Sequence, residues 1–429
     1  MTTLDQPETL RATAARRYFA ATRSRFWRGC MDADPALIAF VLPWSTTAVI
    51  VILPLWLIAI APTFEPKKFA ETLRRPISWL PVAFFGLAVV GTLWAGGQWG
   101  ARLLAIGPAA KLLLIPLLIY HYERSSRAHW VFIGFAASCC LLLAYSFLIF
   151  ADPGWQSTAA HGFDTTGIPI RNAIDQNQEF ALCAFGLAAF AIDEFRRRRV
   201  EYAAIAASLA ALFVLNILFV ALARTALIYL VVLAVVFVGR QISGRWAIVA
   251  FAAVAAGVIA AWFISPYLRS RVEHVAVEYR EYRETHRPTS TGQRLEYWSS
   301  AAEWIKERPI IGHGTGSVRR LFEATAVGKE GAWADRVGNP HNQTLYVAIQ
   351  WGLLGCIVLF AMWYRHFRHF AGGELLAWFG AIVALQNVLS SLFNSHLFDF
   401  AEGWIYVLGV GVAGGALTKS RAVSPAPTR

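Results

Sequence analysis

Charged side chains are scarce in this chain. Only 15% of its 429 residues are Asp, Glu, Lys or Arg against 57% hydrophobic, and the mean hydropathy is +0.47. That balance excludes a soluble domain of ordinary composition. Cysteine is sparse too: Cys30, Cys139, Cys140, Cys183 and Cys356 fall in or near apolar runs or on the inner side, so neither a disulfide framework nor a thiolate metal site is indicated. The basic start does not read as a cleaved leader, because its first apolar run comes late and lacks a small-residue cleavage site. There is no repeat of fixed period, and no low-complexity tract beyond a short Ser/Pro/Ala tail.

What the chain does have is apolar runs, most of them long enough to cross a hydrocarbon core of about 30 Å. They cover 77–95, 101–120, 130–150, 179–195, 202–222, 225–239, 246–265, 344–364, 375–393 and 404–417. An earlier run, 36–62, is either one long tilted helix or a hairpin broken at "PWSTT" (43–47). The positive-inside rule favours the hairpin, because two crossings put the Arg-rich start, "EPKKFAETLRRP", "ERSSR", "RRRR", "RQISGR", "RHFRH" and the tail all on the cytoplasmic side.

The expected fold is therefore an all-α polytopic membrane protein of about twelve transmembrane helices with a helical periplasmic loop domain. A basic cytoplasmic N-terminus (1–35) precedes nine spans (36–265), with a periplasmic loop near 151–178. A large outer loop (266–343), three more spans (344–417) and a cytoplasmic tail (418–429) follow. The net charge of +12 sits in the short inner loops, where orientation and anionic lipid headgroups account for it, so no nucleic-acid partner is expected.

Chemistry should lie in the outer segments. "SPYLRSRVEHVAVEYREYRET" reads as an amphipathic surface helix. After a break at "HRPTSTG", "QRLEYWSSAAEWIKER" resumes helical periodicity with Leu295, Trp298, Ala302 and Ile305 on one face. Arg294 falls in the first turn of that second helix, where an arginine either is simply solvated or has an anionic partner. "GHGTGS" precedes a short helix bearing Arg319 and Arg320. Without a preceding strand it is not a dinucleotide loop, which leaves an anion-binding nest or a tight turn, and His313 is as readily structural as functional.

Asn339 reads as an N-cap and Pro340 as a first helical residue, which places His341 and Asn342 in the first turn of a span at the outer boundary. A histidine there, with its pKa depressed by the helix dipole, is either a cap or a neutral general base. Arg224 interrupts two apolar runs with almost no loop between them, and Lys111 lies in "GPAAKLLLIPLL". Ionisable groups at such depth are functional candidates, although a lysine can also snorkel. The one D-x-D, Asp32 to Asp34, reads as part of the solvated start of the first span rather than a metal site.

"HNQTLYVAIQWGLLG" fits the pattern H-[NSQ]-x9-G-x-x-G, with His341, Asn342, Gly352 and Gly355 in register, and resembles the signature of bacterial O-antigen ligases. "STGQRLEYWSSAAEWIKERPIIGHGTGS", "ARTALIYL" and, more loosely, "IPIRNAIDQNQEFAL" resemble further family segments in the same order. The resemblance implies a glycosyltransferase that needs no cofactor or metal. Its donor would be O-antigen on undecaprenyl diphosphate and its acceptor a sugar hydroxyl of lipid A-core, meeting at the periplasmic face of the inner membrane. It implies His341 as general base and Arg224 and Arg294 as diphosphate ligands. Asn342 and Gln343 either orient the histidine and touch sugar or act as caps, and Arg171, His313, Arg319, Arg320 and Lys111 are further candidates for substrate binding. The rivals are an O-antigen polymerase or protein O-oligosaccharyltransferase of the same superfamily and, in a different class, a transporter of lipid-linked sugars.

Overall fold

The computed structural model describes residues 24–162, 165–221, 223–328 and 338–423, and among these all regular structure is helical apart from one isolated bridge between Ala160 and Arg171. The Arg-rich start up to residue 23 and the tail from residue 424 lie outside the described residues.

Helix α1 (Arg25–Val41) and α2 (Thr46–Ile60) resolve the ambiguous first run into two packed helices. The break falls at Pro43, where the Ser45 hydroxyl caps α2 by accepting from Ala48 N–H at 3.1 Å. Trp44 tethers the break by donating its indole N–H to Ser138 Oγ at 2.8 Å. Asp32, expected in a solvated start, is instead buried within α1 against His121 (2.8 Å) and Arg127 (3.4 Å). Burial of a carboxylate requires such partners.

Next come α3 (Pro66–Leu73) and α4 (Pro76–Val90), bent by 88° at their junction. A run of short pieces follows, α5 (Trp99–Leu104), α6 (Gly107–Ala110) and α7 (Leu114–Tyr122), and then α8 (His129–Ala151). Beyond an irregular loop lie α9 (Ala173–Arg196), α10 (Val200–Phe219), α11 (Arg224–Gln241) and α12 (Arg245–Ile264). The segment before the last three helices supplies α13 (Pro266–Thr285), α14 (Ser290–Glu307) and α15 (Ser317–Ala326). The chain closes with α16 (Gln343–His369), α17 (Leu375–Ser390) and α18 (Phe400–Val423).

Eight helical runs among the described residues are long and apolar enough to span a membrane: 46–63, 99–122, α8, α10, α11, α12, α16 and α18. Of the other expected spans, α1, α4 and α17 fall short at 17, 15 and 16 residues. Helix α9 has the length, but its first turns read Asp-Gln-Asn-Gln-Glu. Composition alone assigns most of these polar residues to the outer loop; they are helical and buried because they hold the bundle together. Gln176 donates to Asn216 Oδ1 at 3.2 Å, Asn177 binds the Ala221 carbonyl and the Ala223 N–H, and Gln178 reaches Glu402 at 3.2 Å. Apolar surface gives little drive for helix association in lipid, so buried hydrogen bonds and close packing carry more of it.

The glycines of "GHGTGS" form a strap, not a nest. Helix α16 is broken at Gly352, whose φ of +58° and ψ of −150° are not helical. The strap fills the break. His313 N–H donates to Ile349 O and Gly314 N–H to Gln350 O, both at 2.8 Å, while Leu353 N–H and Leu354 N–H donate back to Pro309 O (2.8 Å) and Ile310 O (3.2 Å). Thr315 ties the same strap to the end of α4 through Ala88 O and Gly91 O. A Cβ on Gly314 would lie 2.5 Å from Ala95 Cα, and one on Gly352 would lie 2.5 Å from the Ile310 carbonyl carbon. Below this strap α14 and α15 dock on α16 through Ala301, Trp304, Val318, Phe322 and Ile349. The buried stripe of α14 thus runs through Ala301 and Trp304 with Tyr297 half-buried beside them, whereas Ala302, expected on one face with Leu295, Trp298 and Ile305, is exposed.

Gly352→Ala should lower thermal stability in detergent by about 1–3 kcal/mol or more, since it adds backbone strain to a steric clash. An unchanged unfolding temperature would count against the strap as the element that positions α16.

Candidate functional site

His341 does not sit in the first helical turn. Asn339 Oδ1 accepts its backbone N–H at 2.8 Å, so Asn339-Pro340-His341 makes an Asx turn, and His341 takes a left-handed φ of +52°. For a residue with a Cβ this conformation costs about 1–2 kcal/mol. The N-cap of α16 is Asn342, whose Oδ1 accepts from Leu345 N–H at 3.0 Å. Its amide donates to Leu392 O at 3.0 Å, while Gln343 receives Leu397 N–H at 3.0 Å and donates its own N–H to Ser391 O at 2.9 Å. Asn342 and Gln343 therefore pin loop 391–399 against the start of α16 and do not hydrogen-bond the imidazole.

The ring itself stacks on Tyr297, with centroids 6.1 Å apart and planes at 29°. Its Nδ1 lies 3.0 Å from Asn394 Oδ1, and its Nε2 has no hydrogen-bond partner among the described residues. Burial pushes the His341 pKa below the ordinary histidine value and the Arg294 charge adds to this, while the Asn394 hydrogen bond opposes both. The net lowering favours the neutral imidazole.

Arg294 lies in the second turn of α14 rather than the first, because the helix starts at Ser290 behind a Thr289 cap. It is half-buried and makes no hydrogen bond or ion pair among the described residues. Burial depresses its pKa and the nearby Arg224 guanidinium depresses it further, against the pull of Glu278. Arg224, at the first position of α11, is bidentate to Glu278 of α13 at 2.7 and 2.9 Å. Thr291 donates to the same carboxylate from its N–H (3.1 Å) and its hydroxyl (2.6 Å). Burial raises the Glu278 pKa, but the Arg224 and Thr291 hydrogen bonds outweigh it and hold the carboxyl at about 2. With two guanidiniums, one carboxylate and a neutral histidine, the cluster keeps an excess positive charge.

The remaining candidates lie apart from this cluster. His313 is buried in the strap with Nε2 on Trp304 O at 2.8 Å, Arg319 is exposed and paired with Glu323 at 2.9 Å, and Arg320 packs over Gly96. Lys111 donates to the carbonyls of Phe398 (3.0 Å) and Asp399, fixing loop 391–399 from below. Arg171, itself at a φ of +60°, donates to Leu42 O at 2.7 Å and has its other terminal nitrogen buried without a hydrogen bond. It lines a cavity of about 370 Å³ together with His161, Asp175, Asn394, Asp399 and Glu402. Burial raises the Asp399 carboxyl above its usual range, opposed by Lys111, and lowers His396 to about 3.

Sequence reasoning missed Asn394, His396, Asp399, Glu402 and Glu278. The first four form a polar string between two apolar runs, which is a readable signal; Glu278 is one of many charges on an exposed helix and carries none. Among the described residues no three His, Cys, Asp or Glu side chains converge as metal ligands.

Residues 209–360 match the O-antigen ligase family. This segment belongs to that family. It contains Arg224, Arg294 and His341, whereas Arg171, Asn394 and the acidic residues of the cavity fall outside it. The match covers about a third of the chain, and the family it points to is a glycosyltransferase-like one whose members handle lipid-linked polysaccharides; the apolar helices mark this chain as a membrane protein. No curated protein matches the chain.

Glu278→Gln should destabilise the protein at neutral pH and free Arg224. Because the folded pKa of Glu278 lies below the unfolded value of about 4.3, its contribution is full above that value. The difference in unfolding temperature between variant and parent should shrink as pH falls from about 4.3 towards 2; a gap that stays constant would mean the charge is not what matters.

Proposed function

We propose that the protein is an O-antigen ligase. It transfers O-antigen polysaccharide from undecaprenyl diphosphate to a sugar hydroxyl of lipid A-core at the periplasmic face of the bacterial inner membrane. The observation that carries this reading is the convergence of His341, Arg294 and Arg224, from three separate segments of chain, into one cluster with excess positive charge. In this reading α1, α4, α9 and α17 cross the membrane along with the eight apolar runs, and the basic short loops then argue for cytoplasmic termini and for this cluster on the outer side.

A sugar hydroxyl is a weak nucleophile, and a neutral imidazole whose Nε2 has no partner among the described residues is suited to take its proton as the new glycosidic bond forms. The bond from the anomeric carbon to the diphosphate breaks in the same displacement, which inverts that centre. The departing anionic charge meets Arg294, which has no ion pair among the described residues, and Arg224, whose guanidinium is oriented by Glu278. A diphosphate is a good leaving group, so no separate acid is needed, and no metal ion is required for this step. Arg224 and His341 stand at the starts of helices and Arg294 in the segment between α12 and α16, which favours a transferase over a transporter, whose charged sites gather near mid-membrane.

The direct test is transfer by purified protein in liposomes from undecaprenyl-diphosphate-linked O-antigen to lipid A-core, with and without chelator. Turnover should persist in chelator and fall about 10²–10⁴-fold in His341→Ala. Lengthening of the glycan on its carrier, with no product on lipid A-core, would instead identify a polymerase.

The acid limb of the rate profile should lie below about 6.5, the unperturbed histidine value. In Arg294→Gln it should move to higher pH, because the positive charge that disfavours imidazolium is gone, and the rate should drop about 10²-fold. A pH–rate profile of both proteins reads the two effects separately.

A further inference from the structure

The loop between α17 and α18 brings Asn394 onto His341, and Asn339 onto both. The chain of contacts begins at a group whose role is unambiguous. A backbone N–H can only donate, so the atom of Asn339 that lies 2.8 Å from His341 N must be its carbonyl Oδ1. Ser395 Oγ–H donates to the same oxygen at 2.7 Å. The other end of the Asn339 amide is then Nδ2, a donor, and it lies 3.0 Å from Asn394. The Asn394 atom facing it must be an acceptor, Oδ1, and that oxygen is also 3.0 Å from His341 Nδ1. Nδ1 must therefore carry the ring proton.

We infer that Asn339 and Asn394 are positioning residues that hold the proton of His341 on Nδ1 and so keep Nε2 free to accept the proton of the incoming hydroxyl. This rests on the role proposed for His341 and extends it to two residues outside the histidine motif, one of them outside the family match. A histidine tautomer is set by the hydrogen bond that its other nitrogen makes. A neutral amide in that place fixes the proton without adding a negative charge that would raise the imidazole's basicity and hold the proton after transfer. The charged and titratable groups near the ring are Arg294 of α14 and His396 of loop 391–399, with the Tyr297 ring stacked on it; none of these hydrogen-bonds its nitrogens.

Two near-isosteric variants separate this relay from a packing role. Asn339→Asp keeps both acceptor contacts, to His341 N–H and Ser395 Oγ–H, and removes only the donor. Asn394 must then turn its amide to donate to the new carboxylate, and the same NH₂ group faces His341 Nδ1, which drives the ring proton to Nε2. Transfer should fall about 10²-fold or more with little change in unfolding temperature. Asn394→Asp preserves an acceptor for Nδ1–H, so it should transfer far faster than Asn394→Ala, with its acid limb moved to higher pH by the added carboxylate. The independent readout is ¹⁵N NMR of histidine-labelled protein, with the His341 signals identified by their loss in His341→Ala. Wild type should show the proton on Nδ1 and Asn339→Asp should show it on Nε2. A wild-type ring protonated on Nε2, or Asn339→Asp transferring at the wild-type rate, overturns the relay. Wild-type activity in His341→Ala would overturn the general-base reading instead, and the NMR result on wild type would still decide the tautomer if Asn339→Asp did not fold.

Discussion

The exchange of backbone hydrogen bonds at Gly352 is the interaction on which the half of the molecule holding the candidate site depends. Opening an apolar helix in mid-course frees carbonyl and amide groups that water cannot reach inside a bilayer, and each such group left alone costs several kcal/mol. Here the freed groups are taken up by Pro309, Ile310, His313 and Gly314. The break is therefore tolerable only with the strap in place, and the strap can dock only where glycine permits it. Helix α14, carrying Arg294, precedes the strap directly, and the outer end of α16 leads back to His341.

A second layer of polar contacts works in the same way on the opposite side of the histidine. Loop 391–399 is gripped by Asn342 and Gln343 from α16, by Lys111 from below, and by Gln178 through His396. These are buried donors and acceptors matched to one another, which costs little once formed and much if one partner is lost. Loop 391–399 can thus present Asn394 to the imidazole with a defined orientation, although it has no regular structure of its own.

The electrostatic arrangement separates two tasks that a cluster of cations performs poorly if left to itself. Arg224 is neutralised and oriented by Glu278, while Arg294 has no ion pair among the described residues. In the proposed reaction the uncompensated charge meets the departing diphosphate and adds to the burial that disfavours imidazolium at His341, so one residue would serve both the leaving group and the base.

The sequence by itself determined that this is a helical membrane protein and where its apolar runs fall, and its motifs singled out Arg224, Arg294 and His341 as candidates. Those features rest on composition, hydrophobic period and local motif, all of which are short-range. Of the twelve expected spans, eight among the described residues meet the length and apolarity of one, because α9 trades apolar residues for buried hydrogen bonds and α1, α4 and α17 are short. The tertiary structure alone decided the rest. It made Asn339 a turn residue instead of a cap, moved Arg294 into a second turn, turned the glycine motif into a strap and assigned Lys111 and His313 to scaffold contacts. It also supplied Glu278 to Arg224 and Asn394 to His341 across 54 and 53 residues of chain. Which side chain completes a hydrogen bond at such separation depends on how the elements between them pack, and no local pattern in the chain encodes it.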